Sequence, residues 1–210
     1  MRPKPRYIAV AGNMGSGKSS LVAWLRQQFD LVPFFEGQAA NPYLEDFYAD
    51  MGAHAFRSQL HFMFHRYAQH RLLEREQRGV VQDRTLYEDA EIFARNLHDE
   101  GFIDDRDWGL YRLAYGTLAA ELRPPDLLIY LRCSMRTLRK RIRLRGRAYE
   151  SSLPMPYLRR LERLYEEWFE TWDRCPTLVL ETDELDYVED LFSRRDLLET
   201  LRGVLGIKAP

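Results

Sequence analysis

The sequence predicts an α/β fold in which a five-stranded parallel sheet is covered by helices on both faces. Three observations carry that prediction. Five short apolar runs, each rich in β-branched or aromatic residues, read as buried strands. Helical patterns lie between them, so strand and helix alternate. A glycine-rich segment, Gly12–Ser19, falls where the first strand would turn into the first helix.

The runs are Tyr7–Ala11, Leu31–Phe35, Gly79–Gln82, Asp126–Leu131 and Thr177–Leu180, and polar residues follow each. A helix over Ser19–Phe29 follows the first, and a long one from about Ala53 to Gln77 follows the second. Helices over Glu88–His98 and Asp107–Leu122 follow the third; Met135–Arg145 and Pro156–Trp172 follow the fourth. No linker divides the chain. The nearest approach to one, Ala148–Pro156, carries serines and prolines between two helices and suits a lid loop. Residues 1–210 therefore read as a single domain with a lid at about 141–156.

With 31 basic and 32 acidic residues the formal net charge is -1, which gives no global reason to expect a nucleic-acid or membrane partner. No run approaches the ~20 apolar residues of a membrane span. The apolar stretch after the basic Met1–Arg6 is too short for a signal sequence. Two cysteines, Cys133 and Cys175, build no disulfide framework and fit a reduced, cytoplasmic setting.

Gly12-Asn13-Met14-Gly15-Ser16-Gly17-Lys18-Ser19 matches the phosphate-loop pattern G-x-x-x-x-G-K-[ST] at every fixed position, with a strand before it and an amphipathic helix after it. Glycines let the backbone curl so that successive N–H groups face phosphate oxygens, and the helix N-terminus adds positive potential. Lys18 is expected to reach the β- and γ-phosphates and the Ser19 hydroxyl to bind Mg²⁺, with Ser20 beside them in an ATP-binding set. The pattern specifies a nucleoside triphosphate. It does not separate a kinase from a GTPase switch or an ATPase.

Ligands of parallel sheets gather outside the carboxyl ends of the strands. Glu36 follows the second run and Asp83-Arg84-Thr85 the third. A carboxylate at Glu36 suits acceptance of a proton from an attacking hydroxyl. Asp83 suits Mg²⁺, and Arg84 suits phosphate charge. Eight Lys/Arg and no acid occur between Arg132 and Arg147. At roughly 100° per residue, Met135, Leu138 and Ile142 form the core stripe of that helix. Arg141 and Arg145 flank the stripe, whereas Arg136, Lys140 and Arg143 face solvent. Arg141 and Arg145, with Arg147 in the following loop, are the candidate phosphate clamps of a closing lid.

Taken together these residues resemble the deoxyribonucleoside kinases, over Tyr7 to about Asp190. The resemblance implies a P-loop kinase fold, usually a homodimer, that moves the γ-phosphate of ATP onto a deoxynucleoside 5′-hydroxyl with Mg²⁺. It implies roles position by position. Glu36 resembles the general base, although Glu36-Gly37-Gln38 replaces the usual Glu-Pro-Val. Tyr48, and Glu150 within Arg141–Glu150, resemble the pair at the sugar 3′-hydroxyl. Gln59, Arg66 and Asp89 resemble the residues at the base. Asp83-Arg84-Thr85 resembles Glu-Arg-Ser with an acid one methylene shorter. Thr182–Asp186, including Asp183, resembles the loop beside adenine. His54, His61, His65 and His70 lie on or near the helix of Gln59, and no acid or cysteine set completes a metal site with them, so they read as packing or surface residues.

Three other readings compete. A nucleoside monophosphate kinase needs a second phosphate clamp for its acceptor, and Arg66 is the only spare arginine near the base site. A GTPase switch wants Asn-Lys-x-Asp after a late strand, which Leu180-Glu181-Thr182-Asp183 does not supply. A nucleic-acid-binding role for the basic run sits poorly with the net charge and the split helix faces. For the base, a purine deoxynucleoside is expected, with a pyrimidine as the alternative.

Overall fold

The computed structural model describes residues 7–36, 41–146, 154–183 and 191–205. Five strands, β1 (Tyr7–Gly12), β2 (Val32–Phe34), β3 (Val80–Asp83), β4 (Leu127–Arg132) and β5 (Thr177–Glu181), form one sheet in the order β2-β3-β1-β4-β5. Every pairing is parallel. All five expected strands form. The edge strand β2 is only three residues long and half-buried.

In chain order the helices are α1 (Lys18–Phe29), α2 (Leu44–Ala49) and α3 (Met51–Leu73). Next comes α4, a continuous rod of Leu86–Glu88, Asp89–Ala94 and Arg95–Asp99. Then follow α5 (Asp105–Ala120), α6 (Met135–Arg145), α7 (Met155–Glu170) and α8 (Leu191–Leu205). Residues Asp89–Ala94 wind with the wider π-helical turn, a local widening that often marks functional sites. Short polar side chains fix several starts. Asp50 accepts the Ala53 N–H (3.0 Å), Asp104 the Asp107 N–H (2.8 Å), and Ser134 the Thr137 N–H (3.3 Å).

Side-chain alternation along the strands divides the core into two layers. Tyr7, Ala9 and Ala11 of β1 pack with α3, α4, α5 and α7, while Ile8 and Val10 face α1 and α8. Two helices lay outside the sequence expectation. One is the short α2. The other is α8, whose Leu197 and Leu201, four residues apart, cover the α1 side of the sheet. Among the described residues no helix is long and apolar enough to cross a membrane.

Candidate active site

The strands β1, β2 and β3 end together, and their carboxyl ends carry the charged residues singled out above. β1 runs directly into the phosphate loop, where Gly12, Gly15 and Gly17 all have positive φ (144°, 82° and 102°). A side chain at Gly12 would meet Leu131 O and Ser16 Oγ at 2.7 Å, so only glycine lets the loop close against β4. At Gly15 a Cβ would lie 3.0 Å from Ile142 Cγ1 on α6. Lys18 is buried and folds back over the loop, donating to Gly12 O (2.8 Å) and Asn13 O (3.1 Å). Burial, then the nearby Arg84, lowers its pKa; Asp83, Glu36 and Glu88 oppose that shift. The Asn13 amide donates to Glu162 Oε2 (2.8 Å) and Leu158 O (3.3 Å), which ties the loop to α7. Met14 donates its N–H to Asn13 Oδ1 (2.8 Å). The Ser16 side chain is fully buried, while Ser19 and Ser20 lie at the start of α1.

Ser19 Oγ donates to Asp83 Oδ2 at 2.6 Å, a short charge-assisted bond between the start of α1 and the end of β3. Asp83 Oδ1 is buried and has no hydrogen-bond partner among the described residues. A hydroxyl beside a carboxylate with an unsatisfied oxygen is a hard-oxygen donor set of the kind Mg²⁺ takes.

Arg84 follows Asp83 with φ 66°, a left-handed conformation that costs an L residue about 1–2 kcal/mol. Its N–H donates to Val10 O (3.1 Å), its guanidinium lies 4.1 Å from the centre of the Phe93 ring, and Nη1 reaches Glu36 Oε1 at 2.7 Å. Arg66 on α3 lies 3.8 Å from the same Glu36 oxygen and 3.0 Å from Asp89 Oδ2. Burial would raise the Glu36 carboxyl, but Arg84, Arg66, Lys18 and Arg145 outweigh it and hold the pKa at about 2. Coulomb attraction to those cations therefore wins over desolvation. Burial opposes the charge on Arg66 and Arg84, yet their carboxylate partners raise both pKa values further.

Gln59 is buried on α3, and its Oε1 has no hydrogen-bond partner among the described residues. An orphaned acceptor of this kind costs about 1–3 kcal/mol, so the position suits a ligand donor. Tyr48 is half-buried on α2, edge-on to Phe47 at 5.1 Å. On α6 the core stripe is as expected: Leu138 and Ile142 are buried, while Arg136, Lys140 and Arg143 are exposed. Arg141 is half-buried and donates to Ser16 O (3.1 Å), Thr182 Oγ1 (3.0 Å) and Thr182 O (2.6 Å). It braces the phosphate loop against the segment after β5. Arg145 is exposed yet close enough to lower the Glu36 pKa. Asp183 Oδ1 accepts the Ser134 N–H (2.8 Å) at the start of α6. Arg147, Glu150 and the segment 184–186 lie outside the described residues, as do Gly37 and Gln38. Of the histidines, His70 is buried edge-on to Tyr7 at 5.3 Å, and His61 and His65 stack at 6.3 Å.

Three residues at this site escape the sequence argument. Phe93 carries the Arg84 guanidinium. Glu88 is fully buried behind the phosphate loop; the sequence reading placed it only at the start of a helix, whereas it closes a capping box with Thr85 and reaches β1. Gln69 donates from Nε2 to Phe35 O at 2.7 Å, immediately before Glu36. Its Oε1 accepts from Gln82 Nε2 (3.2 Å), and Gln82 in turn accepts from the Tyr7 hydroxyl. This relay fixes the end of a three-residue edge strand to the central strand. Only tertiary placement reveals it.

Comparison with known proteins gives a consistent picture. A family model described as deoxynucleoside kinase matches residues 8–205. The deoxyadenosine kinase of Dictyostelium discoideum is 36% identical over 168 residues, covering 80% of this chain and 68% of that protein. The deoxyadenosine/deoxycytidine kinase of Bacillus subtilis is 31% identical over 205 residues, covering 97% of this chain and 94% of that protein. Among solved structures, deoxyadenosine kinase from M. mycoides with bound dCTP superposes with a TM-score of 0.81 at 30% identity, covering 94% of this chain and 99% of that one.

Proposed function

Because the chain belongs to the deoxynucleoside kinase family, we propose that it transfers the γ-phosphate of ATP to the 5′-hydroxyl of a deoxyribonucleoside, preferring a purine base. The observation that carries this reading is the Glu36–Arg84 ion pair, 2.7 Å, at the sheet end where the phosphate loop also begins. It places a proton acceptor and a phosphate-neutralising cation beside a triphosphate cradle, the minimum that transfer to an alcohol needs.

The roles we assign rest on these contacts and, for Tyr48, Glu150 and Asp183, on the family resemblance. Backbone amides of the loop beyond Gly12, whose own N–H is taken by Glu88, cradle the phosphates, and Lys18 compensates charge on the β- and γ-oxygens. Mg²⁺, held through Ser19 and Asp83, supplies further charge neutralisation when bound. Glu36 with its pKa at about 2 is a weak base while paired with Arg84. The guanidinium is drawn toward charge developing on the transferred phosphoryl group, and that movement makes Glu36 more basic as the hydroxyl attacks. Arg66 and Asp89, a buried ion pair, present a fixed edge to the base with Gln59. Tyr48 and Glu150 bind the 3′-hydroxyl, and Asp183 lies at the adenine of ATP. The same reading places the enzyme in cytoplasmic nucleotide salvage as one domain, with 141–156 as lid.

Base choice is tested by initial rates on the four deoxynucleosides. Deoxyadenosine or deoxyguanosine is expected to be turned over fastest. Gln59→Leu, which removes the amide that pairs with the base edge, is expected to lose about 10-fold or more in kcat/KM for the preferred purine while leaving KM for ATP unchanged. A pyrimidine as fastest substrate, or a Gln59→Leu enzyme with its preference intact, contradicts this part.

The lid is tested by a pair of variants. Arg145→Ala is expected to slow turnover about 10-fold, since this arginine is proposed to clamp the triphosphate, whereas Arg143→Ala on the solvated face changes it less than about twofold. Equal effects of the two overturn the assignment.

A homodimer is part of the proposal. Phe64 and Leu72 on α3 and Leu110 and Leu113 on α5 are 54%, 58%, 54% and 69% exposed, and the two helices pack side by side. Exposed apolar side chains on two neighbouring helices are suited to cover by a second copy. Light scattering is expected to give twice 25.0 kDa, and Leu113→Glu to return the mass toward 25.0 kDa. A wild-type monomer contradicts it.

A further inference from the structure

We propose that Glu88 is a positioning residue for phosphoryl transfer, locking the entrance of the phosphate loop and the Arg84 turn into one rigid unit; this rests on the kinase reading of the same site. Its carboxylate is fully buried where three parts of the fold meet. Oε2 accepts the Thr85 N–H (2.8 Å) and hydroxyl (3.1 Å), and Thr85 Oγ1 accepts the Glu88 N–H (3.4 Å). A capping box needs only that one carboxylate oxygen. The other, Oε1, turns the opposite way and accepts the Gly12 N–H (3.4 Å) and the Tyr165 hydroxyl of α7 (3.1 Å).

Both anchored backbones adjoin the chemistry. The Gly12 carbonyl accepts from Lys18 Nζ (2.8 Å), so one peptide unit on each side of Gly12 is tied, to Glu88 and to Lys18. Thr85 follows Arg84, whose left-handed φ of 66° needs restraint from both neighbours. Val10 O holds Arg84 from one side (3.1 Å), and the Glu88–Thr85 box holds it from the other. Burial raises the carboxyl's pKa, with Arg84 and Lys18 pulling the other way, so its charge is felt at both catalytic cations. A glutamine offers one acceptor oxygen and an NH₂ donor. In its place, one of the two pairs of donors must face N–H.

The test is a double-mutant cycle on kcat, with Mg·ATP and each enzyme's best deoxynucleoside. Glu88→Gln is expected to lower kcat about 10–100-fold, the size of effect a small misplacement of catalytic groups produces, with both KM values within about threefold. In an Arg84→Lys background the same change is expected to cost at least about threefold less than in the wild type, because the share of the effect that passes through the Arg84 turn is then already lost. Loss of equal size in both backgrounds is what general destabilisation gives, and it overturns the proposal. So does an unchanged kcat, or a change confined to KM. If Glu88→Gln does not fold, Tyr165→Phe takes its place, removing one donor to Oε1 and leaving the ring. Its kcat is expected to fall about 3–10-fold, again non-additively with Arg84→Lys; an additive or absent effect overturns the proposal. A wild-type protein that transfers no phosphate removes the kinase reading as well, whereas an active wild type with an additive cycle removes only this inference.

Discussion

Lys18→Ala is expected to abolish phosphoryl transfer, with kcat down about 10³-fold or more and the fold retained. The loss is large because the ammonium is the buried cation that folds over the loop meant for the β- and γ-phosphates, and charge compensation in such a dry site is worth far more than in water. The fold survives because, among the described residues, Lys18 donates to carbonyls of its own loop, Gly12 and Asn13, and removing a buried charge also removes its desolvation cost. Circular dichroism and thermal melting check the fold, and initial rates check transfer. Near-normal kcat in a folded Lys18→Ala protein contradicts the phosphate-loop assignment.

Glu36→Gln is expected to lower kcat about 10²–10⁴-fold while KM for the nucleoside moves only a few-fold, since the amide keeps the shape and loses the proton acceptor. The pH dependence gives a second check. Glu36 is an acid whose folded pKa, about 2, lies below its ordinary value near ~4.3. Whatever stability its ion pairs contribute is present above the ordinary value and lost as pH falls toward about 2. The free enzyme therefore keeps Glu36 ionised through pH 5–8, and kcat/KM shows no inflection from this group there. An inflection in that range that vanishes in Glu36→Gln, or a variant with raised KM and intact kcat, contradicts the assignment.

The parts of the site legible in the sequence are those where chemistry restricts residue type. The turn from β1 into α1 admits only glycine at Gly12, because Leu131 O stands 2.7 Å from any added Cβ, so the constraint shows as a pattern. Glu36 and Asp83-Arg84 were legible because strand ends of a parallel sheet converge, and the structure does bring Glu36, Arg84 and Arg66 together. The stripe of α6 was legible from helical periodicity alone. What stayed hidden depends on tertiary direction. Thr85-x-x-Glu88 looks the same whether the second carboxylate oxygen meets solvent or Gly12. Gln69 is an ordinary helix glutamine until β2 ends beside it. Arg141, expected to face phosphate, spends its hydrogen bonds on Ser16 and Thr182 because α6 packs close enough to touch Gly15.

The central claim is that this sheet end moves a phosphoryl group from ATP to a nucleoside hydroxyl. It is tested most directly by incubating the purified protein with Mg²⁺, γ-labelled ATP and deoxyadenosine or deoxyguanosine, and locating the label. The account predicts label on the 5′-oxygen of a deoxynucleoside monophosphate, formed by the wild type and not by Lys18→Ala. Label transferred only to a nucleoside monophosphate acceptor, or released as inorganic phosphate at the same rate with and without nucleoside, would contradict it.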